Sequence, residues 1–591
     1  MTPLLLAVSL LGPVLPIESA EDKPTIVGHW LGVLEVGPTK LTLVMHVGPG
    51  EGGSLEGSLD TPEQRAFGVP LETIALEGRS VRFEDPANNA RFEGELAGDG
   101  ETISGTFTQR GIVIPLTLSR AEAADLPRPM EIPGRLQGIW EGPIELPMGQ
   151  TLRVALRVEP IAGWPGQRSA FFDSLDQGAL GIPVSAISLE GERVRFEIKA
   201  IAGTFEGTLN EAGTTIEGTW SQSILKLPLT LEKVEKLTER ARPQEPKPPF
   251  PYRVEELTFE NPEAGITLAG TLTLPEGDGP FPAAVMVSGS GPQDRDETLL
   301  GHKPFLVIAD HLTRAGIAVL RFDDRGVGES TGEFATATSE DFASDALAAV
   351  RTLRNRPEID REAVGIIGHS EGGLVGPMVA ARAPEEVGFL VLLAGTGVTG
   401  KEILLHQTEL IVRASGLSES LIRVQVDSLR TLLSLIEEGR VDELSEDELH
   451  ALMRDLTAGL EPEDREALEN SNPPLAEATN LAVERLQAPW FQFFLEYDPK
   501  SALKRVRCPV LALFGEKDVQ VDPAQNAKQI EDALASGGND RVVVEVLPGL
   551  NHLFQHAETG SPLEYGAIEE TFAPEALGRI SSWIREATGR D

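Results

Sequence analysis

Residues 364–373 are Val-Gly-Ile-Ile-Gly-His-Ser-Glu-Gly-Gly, and they contain the pattern G-x-S-x-G centred on Ser370. The apolar residues before the pattern predict a short buried strand, and the alanine-rich segment through Arg382 predicts a helix. A strand, a sharp turn between glycines and a helix are typical of a nucleophile elbow. In such an elbow, the serine hydroxyl is held above the edge of a sheet, beside a backbone N–H group.

The chain around this motif alternates between predicted strands and helices. Further apolar runs predict strands, and amphipathic segments between them predict helices at 304–315 and 339–355. The predicted strands are 283–287, 317–322, 388–394, 509–514 and 542–546. This order implies a mostly parallel sheet. From about 397 to 503 the pattern is helical throughout, which predicts a lid inserted into an α/β-hydrolase fold.

A serine nucleophile needs a histidine to accept its proton and a carboxylate to orient that histidine. In α/β hydrolases these residues follow in the order Ser, Asp or Glu, His. Asp518 follows strand 509–514 and His552 follows strand 542–546, each where a loop leaves the carboxyl edge of the sheet. The predicted catalytic residues are therefore Ser370, Asp518 and His552.

Other residues compete for these roles. Asp522 and Glu516 lie close to Asp518 in the chain, and His556 follows His552 by four residues. We prefer the residues that stand directly at the strand exits. His369, next to the predicted nucleophile, is assigned to packing.

The predicted oxyanion hole has two backbone N–H donors. Glu371 supplies the first because it follows the nucleophile, and Ser290, in the Ser-Gly-Ser-Gly loop after strand 283–287, supplies the second. Aromatic residues 489–494 end the helical insertion. Trp490 and Phe491 are candidates for the wall of the substrate pocket, although anchoring the lid on the sheet is an equally simple role.

The first 237 residues contain an internal duplication. Leu76–Arg120 aligns without gaps on Leu189–Lys233, and both copies alternate apolar and polar residues between glycine-containing turns. We predict two tandem all-β, small barrel-like domains, at 25–125 and 126–237. A proline-rich linker at 238–251 then leads to the catalytic domain at 252–591.

Charge and composition restrict partners and compartment. The net charge of −41 argues against nucleic acid and anionic membranes as partners, because a polyanion would be repelled. Residues 1–20 contain a short apolar run followed by small residues and predict a signal peptide, and hence a secreted or periplasmic protein, although no basic residue precedes the run. Cys508 cannot form an intramolecular disulfide, since it is the only cysteine. No metal or cofactor is predicted.

Four stretches together resemble the EstD-like bacterial carboxylesterases. They are 288–296 (Ser-Gly-Ser-Gly-Pro-Gln-Asp-Arg-Asp), 322–328 (Phe-Asp-Asp-Arg-Gly-Val-Gly), 368–373 and 547–554 (Leu-Pro-Gly-Leu-Asn-His-Leu-Phe). The resemblance implies hydrolysis of small carboxylic esters with short acyl chains by Ser370, Asp518 and His552. Two alternatives stay open: a serine peptidase of the prolyl oligopeptidase type, and a binding protein on an inactive hydrolase scaffold.

Overall fold

The structure is a computed structural model of the 591-residue chain. It describes residues 25–36, 39–50, 54–62, 66–85, 90–109, 112–122, 126, 129–145, 151–161, 166–222, 225–238, 240–469 and 475–590. The predicted signal peptide at 1–20 lies outside these residues. The chain divides into two compact units: residues 1–129 with 161–165, and residues 130–160 with 166–591.

The first unit contains a curled, antiparallel sheet of nine strands in the order β4-β3-β2-β1-β9-β8-β7-β6-β5. Alternate residues point inward because side chains alternate along a strand, and they form a core that includes Trp30, Phe83 and Phe92. The strands are β1 Gly28–Val36, β2 Thr39–Pro49, β3 Leu55–Thr61, β4 Ala66–Pro70, β5 Thr73–Glu77, β6 Ser80–Asp85, β7 Ala90–Leu96, β8 Thr102–Gln109 and β9 Ile112–Ala121.

The second unit begins with a sheet of the same topology, ordered β13-β12-β11-β10-β18-β17-β16-β15-β14. Trp140 is buried in its core as Trp30 is in the first sheet, and the prediction of two tandem all-β folds is confirmed. The strands are β10 Gly138–Glu145, β11 Thr151–Pro160, β12 Arg168–Ser174, β13 Ala179–Pro183, β14 Ala186–Glu190, β15 Arg193–Ile198, β16 Gly203–Leu209, β17 Thr215–Gln222 and β18 Leu225–Val234.

The C-terminal region, residues 253–590, is built on a third sheet in the order β19-β20-β22-β21-β23-β24-β25-β26. The strands from β21 to β26 are parallel, and β23, β24 and β25 are almost wholly buried, as expected of strands covered on both faces. The strands are β19 Arg253–Asn261, β20 Ile266–Leu274, β21 Phe281–Val287, β22 Ala318–Phe322, β23 Ile359–His369, β24 Leu390–Leu393, β25 Val510–Gly515 and β26 Val542–Leu547. The predicted α/β-hydrolase fold is confirmed.

Helices connect and cover these strands. They are α1 Pro304–Arg314, α2 Ser339–Arg354, α3 Gly372–Arg382, α4 Gly400–Ala414, α5 Glu419–Glu437, α6 Glu446–Leu456, α7 Pro462–Glu469, α8 Leu475–Gln487, α9 Pro489–Glu496, α10 Lys500–Leu503, α11 Pro523–Ser536 and α12 Pro574–Ala587. Thr338 and Asp341 form the capping box predicted for α2. Within the described residues, no helix is both long enough and apolar enough to span a membrane.

Helices α4 to α9 form the helical insertion between β24 and β25. The insertion has a small apolar core of its own, which includes Leu433, Met453 and Phe491. Trp490 and Phe493, on α9, also pack against the core of the sheet. Ile403, on α4, belongs to the same sheet core, so the insertion is attached to the sheet through its first and last helices.

The proline-rich segment before the third sheet is hydrogen-bonded to the C-terminal region. The Arg242 guanidinium donates to the backbone carbonyls of Leu300, Gly301, Gly566 and Ile568. The Gln244 side chain accepts the backbone N–H groups of Thr571 and Phe572 and donates to the carbonyl of Phe572. Residues 242–244 therefore belong structurally to the region that follows them.

Candidate active site

Ser370 stands at a sharp turn between β23 and α3. Its φ is +51°, a backbone conformation that non-glycine residues seldom adopt. A Cβ on Gly368 would lie 2.0 Å from the carbonyl oxygen of Gly372, and one on Gly372 would lie 2.1 Å from that of Val287. Both positions therefore require glycine, and the turn holds the half-buried Ser370 at the carboxyl edge of the sheet.

Asp518 and His552 meet at the same edge. The Nδ1 atom of His552 lies 2.8 Å from Oδ2 of Asp518, and both side chains are buried. The other carboxylate oxygen of Asp518 accepts the N–H groups of Gln520 and Val521, each at 2.8 Å. The aspartate is thus held rigidly, and its bond to Nδ1 orients the imidazole ring.

His369 connects His552 to the turn that carries Ser370. Its Nε2 atom lies 3.1 Å from the backbone carbonyl of His552, and the two rings are 4.8 Å apart. His369 is buried, but it is hydrogen-bonded through both ring nitrogens, a role that the packing assignment did not include. Within the described residues, Ser370 Oγ and His552 share no hydrogen bond; such bonds often tighten only when substrate is bound.

The neighbouring carboxylates serve other contacts. Asp522 caps α11 through the Ala524 N–H at 3.0 Å, and its second oxygen lies 2.7 Å from Nε2 of His406 in the helical insertion. Glu516 accepts the N–H of Gly549 at 2.8 Å. Each of these groups is therefore committed to a contact away from His552.

His556 is an exposed residue on the surface of the C-terminal region. Its ring nitrogens lie 2.9 Å from Glu570 and 3.0 Å from Glu575. The hydrogen bond to Glu570 raises the pKa of His556, as do the charges of the two glutamates, while partial burial acts in the opposite direction. It is a surface ion pair, separate from the Asp518–His552 pair.

The two predicted oxyanion donors lie on the elbow and on the loop after β21. Glu371 occupies the N-cap of α3, where N–H groups have no partner within the helix. In the loop after β21, the N–H of Gly289 donates to Oε1 of Glu297 at 2.7 Å. That N–H is occupied, and the N–H of the exposed Ser290 is the next one along the loop.

The side chain of Glu371 was not considered in the sequence analysis. It is buried, and its Oε1 accepts hydrogen bonds from Ser339 Oγ at 2.6 Å and from Trp490 Nε1 at 2.7 Å. Burial raises the pKa of Glu371 to about 7, although the two hydrogen bonds act in the opposite direction. A carboxyl group beside the nucleophile thus holds the last helix of the insertion.

Trp490 and Phe491 occupy different surroundings. The Trp490 ring stacks on Phe494 at 5.0 Å, and its indole N–H reaches the elbow through Glu371. Phe491 is buried in the core of the helical insertion, and the Arg485 guanidinium lies 4.9 Å from its ring centre. Of the two candidates, Trp490 is the one that contacts the elbow.

The described residues contain no cluster of three or more His, Cys, Asp or Glu side chains that could hold a metal ion. Cys508 is buried next to β25, and this burial raises the pKa of its thiol to about 12. The thiol is therefore protonated at neutral pH and is a poor nucleophile.

The chain is similar to several known proteins. Residues 304–558 match the family model described as serine aminopeptidase, S33. The C-terminal region has the α/β-hydrolase fold. Esterase EstD of Thermotoga maritima is 29% identical over 340 residues, which cover 57% of this chain and 70% of that protein.

Two further matches involve the hydrolase region. Esterase FrsA of Yersinia enterocolitica is 32% identical over 157 residues, or 26% of this chain and 35% of that protein. The crystal structure of the α/β hydrolase GrgF from Penicillium sp. sh18 is 19% identical, with a TM-score of 0.34, and the match covers 57% of this chain and 99% of that one.

Proposed function

We propose that the hydrolase region cleaves carboxylic esters of small molecules through an acyl-enzyme, with Ser370 as nucleophile, His552 as general base and Asp518 as the residue that orients it. The observation that carries the proposal is the 2.8 Å bond between Asp518 and His552, formed beside a strained serine turn. The names of EstD and FrsA as esterases support the choice of ester over other acyl bonds.

The chemistry follows from these positions. With Nδ1 bonded to Asp518, His552 presents Nε2 to accept the proton of Ser370 as its hydroxyl attacks the ester carbonyl. The negative charge that develops on the carbonyl oxygen is stabilised by the N–H groups of Glu371 and Ser290. The tetrahedral intermediate expels the alcohol, which takes the proton from His552, and water then cleaves the acyl-enzyme by the same steps.

We further propose that the helical insertion is a lid and that Trp490 limits the acyl chain to short lengths. The position of Trp490 supports this proposal. Its indole N–H is hydrogen-bonded to Glu371, the residue that follows the nucleophile. Its ring stacks on Phe494, which packs against Gly400 at the start of the insertion. A rigid aromatic ring at this place would close the space into which a long acyl chain extends.

Cleavage of an aminoacyl bond is the second candidate, because the matched family model is described as a serine aminopeptidase. The same triad and oxyanion donors would serve amide hydrolysis. The two candidates differ in the leaving group and in the need for a free amino group on the substrate.

The experiment compares a series of acyl nitrophenyl esters with aminoacyl nitroanilides on the full chain. We expect ester hydrolysis, stoichiometric labelling of Ser370 by a fluorophosphonate, and a loss of about 10⁴-fold or more in kcat in Ser370→Ala. Turnover of the nitroanilides alone would favour the peptidase. An unlabelled chain that cleaves neither substrate class would refute both candidates.

A further inference from the structure

Glu297 lies buried between the oxyanion loop, residues 288–293, and the nucleophile elbow. Its side chain is 6% exposed, and its φ of +51° is unusual for a residue with a side chain. Oε1 of Glu297 accepts the N–H of Gly289 at 2.7 Å and lies 2.9 Å from Nδ1 of His369. One oxygen atom therefore joins the loop that carries one oxyanion donor to the residue that precedes the nucleophile.

The second nitrogen of His369 reaches the catalytic base. Nε2 lies 3.1 Å from the carbonyl oxygen of His552, and a carbonyl can only accept, so Nε2 must carry a proton. Nδ1 faces the same Glu297 oxygen that accepts the N–H of Gly289. Burial alone would lower the pKa of His369, but the charge of Glu297 and these hydrogen bonds raise it. The two side chains thus form a buried, hydrogen-bonded pair that links the loop at Gly289 to the backbone of His552.

The two ends of the oxyanion loop are held by a different carboxyl group. Asp324 accepts the Ser288 hydroxyl at 2.9 Å and the N–H of Gln293 at 3.0 Å. These two hydrogen bonds fix residues 288 and 293. The hydrogen bond from Gly289 to Glu297 fixes the position of the backbone next to Ser290. It also connects that part of the loop to His552, which Asp324 does not contact.

We propose that Glu297 and His369 are positioning residues that hold the oxyanion loop, the elbow and the backbone of His552 in one hydrogen-bonded unit. The inference rests on the proposed ester hydrolysis. A buried pair of titratable side chains gives little net stability, because the desolvation of both groups offsets their attraction. The pair connects three segments of the proposed active site, so its role is to keep these segments accurately aligned. Misplacement of reacting groups by about 1 Å can cost about 10²-fold in rate.

The test compares Glu297→Ala and Glu297→Gln with the wild-type chain on one nitrophenyl ester. Active sites are counted by the end point of fluorophosphonate labelling, so that unfolded molecules do not enter kcat. We expect Glu297→Ala to lose about 10²-fold in kcat with KM nearly unchanged, because alignment matters in the transition state more than in substrate binding. Glu297→Gln retains an acceptor for Gly289 and should recover part of this loss.

The matched control is Glu570→Gln, which removes the carboxylate from the exposed Glu570–His556 pair and should keep the wild-type kcat. If Glu297→Ala keeps the wild-type kcat per labelled site, or changes only KM, the positioning role is refuted. If Glu297→Ala does not fold, the other two variants decide. The positioning role is then refuted if Glu297→Gln and His369→Gln both keep the wild-type kcat. Absence of esterase activity in the wild-type chain would instead refute the proposed function itself.

Discussion

The buried carboxyl group of Glu371 should control how the stability of the hydrolase region depends on pH. In the unfolded chain this group releases its proton near the ordinary pKa of 4.5, whereas burial in the folded chain raises the pKa to about 7. Between these two values the folded state binds more protons than the unfolded state. Stability should therefore fall as the pH rises from 4.5 to 7, and this contribution should be constant above 7.

The size of the effect follows from the two pKa values. A difference of one pKa unit corresponds to about 1.4 kcal/mol, so full ionisation of Glu371 should destabilise the folded region by roughly 3 kcal/mol. The contact with Trp490 does not prevent this loss, because the pKa of Glu371 is raised with that hydrogen bond in place.

The substitution Glu371→Gln separates this effect from packing. The amide keeps the shape of the side chain and an acceptor for Ser339 and Trp490, but it cannot ionise. The melting temperature of the variant minus that of the wild type should increase by several degrees from pH 4.5 to pH 7.5 and then remain constant. Glu333→Gln, at an exposed position, is the control, and its difference should not vary with pH.

Calorimetry is the suitable assay, because a chain with several domains melts in more than one transition. The transition of the hydrolase region is identified by the shift that fluorophosphonate labelling of Ser370 produces. If the difference between Glu371→Gln and wild type is the same at every pH, the carboxyl group is not held neutral by burial, and the reasoning is wrong.

Three further predictions concern single contacts. Asp518→Asn should lower kcat by about 10⁴-fold, because the amide favours the wrong tautomer of His552, while Asp522→Asn should keep its activity and its helix cap, since asparagine caps as well as aspartate; the reverse result would exchange their roles. Trp490→Ala should shift the preference among nitrophenyl esters toward longer acyl chains, whereas Trp490→Phe should not, and equal chain-length profiles in both variants would leave Trp490 only an anchoring role. Arg242→Ala should destabilise the hydrolase region by about 2 kcal/mol or more in calorimetry, since four carbonyl groups lose a charged donor, and the exposed Lys247→Ala serves as its control.

The positions of strands and helices could be predicted from the sequence to within a few residues. The apolar run before Ser370 became β23, and the helical stretch after residue 397 became an insertion with its own core. Such features depend on the alternation of apolar residues along the chain, which is a local property. The duplication of the β region could be detected for the same reason, because matching residues recur in matching order.

The polar network around the site could not be predicted in the same way. Glu297 lies 72 residues before His369 in the chain, and Glu371 meets Trp490 across 119 residues. Neither glutamate belongs to a motif that specifies its partner. Their contacts arise only when the loop after β21 and the last helix of the insertion pack against the elbow.

The sequence alone determined the strained turn at Ser370, because the glycines at 368 and 372 are required by clashes with atoms only a few residues away or on the adjacent strand. It also placed candidate acids and bases at the ends of particular strands. Only the tertiary structure decided that Asp518, and not Asp522 or Glu516, binds His552. The physical reason is that a hydrogen bond tolerates only a few tenths of an ångström of error in the distance between donor and acceptor. Here the donor and the acceptor lie on separate loops, and the packing of the whole sheet sets the distance between them.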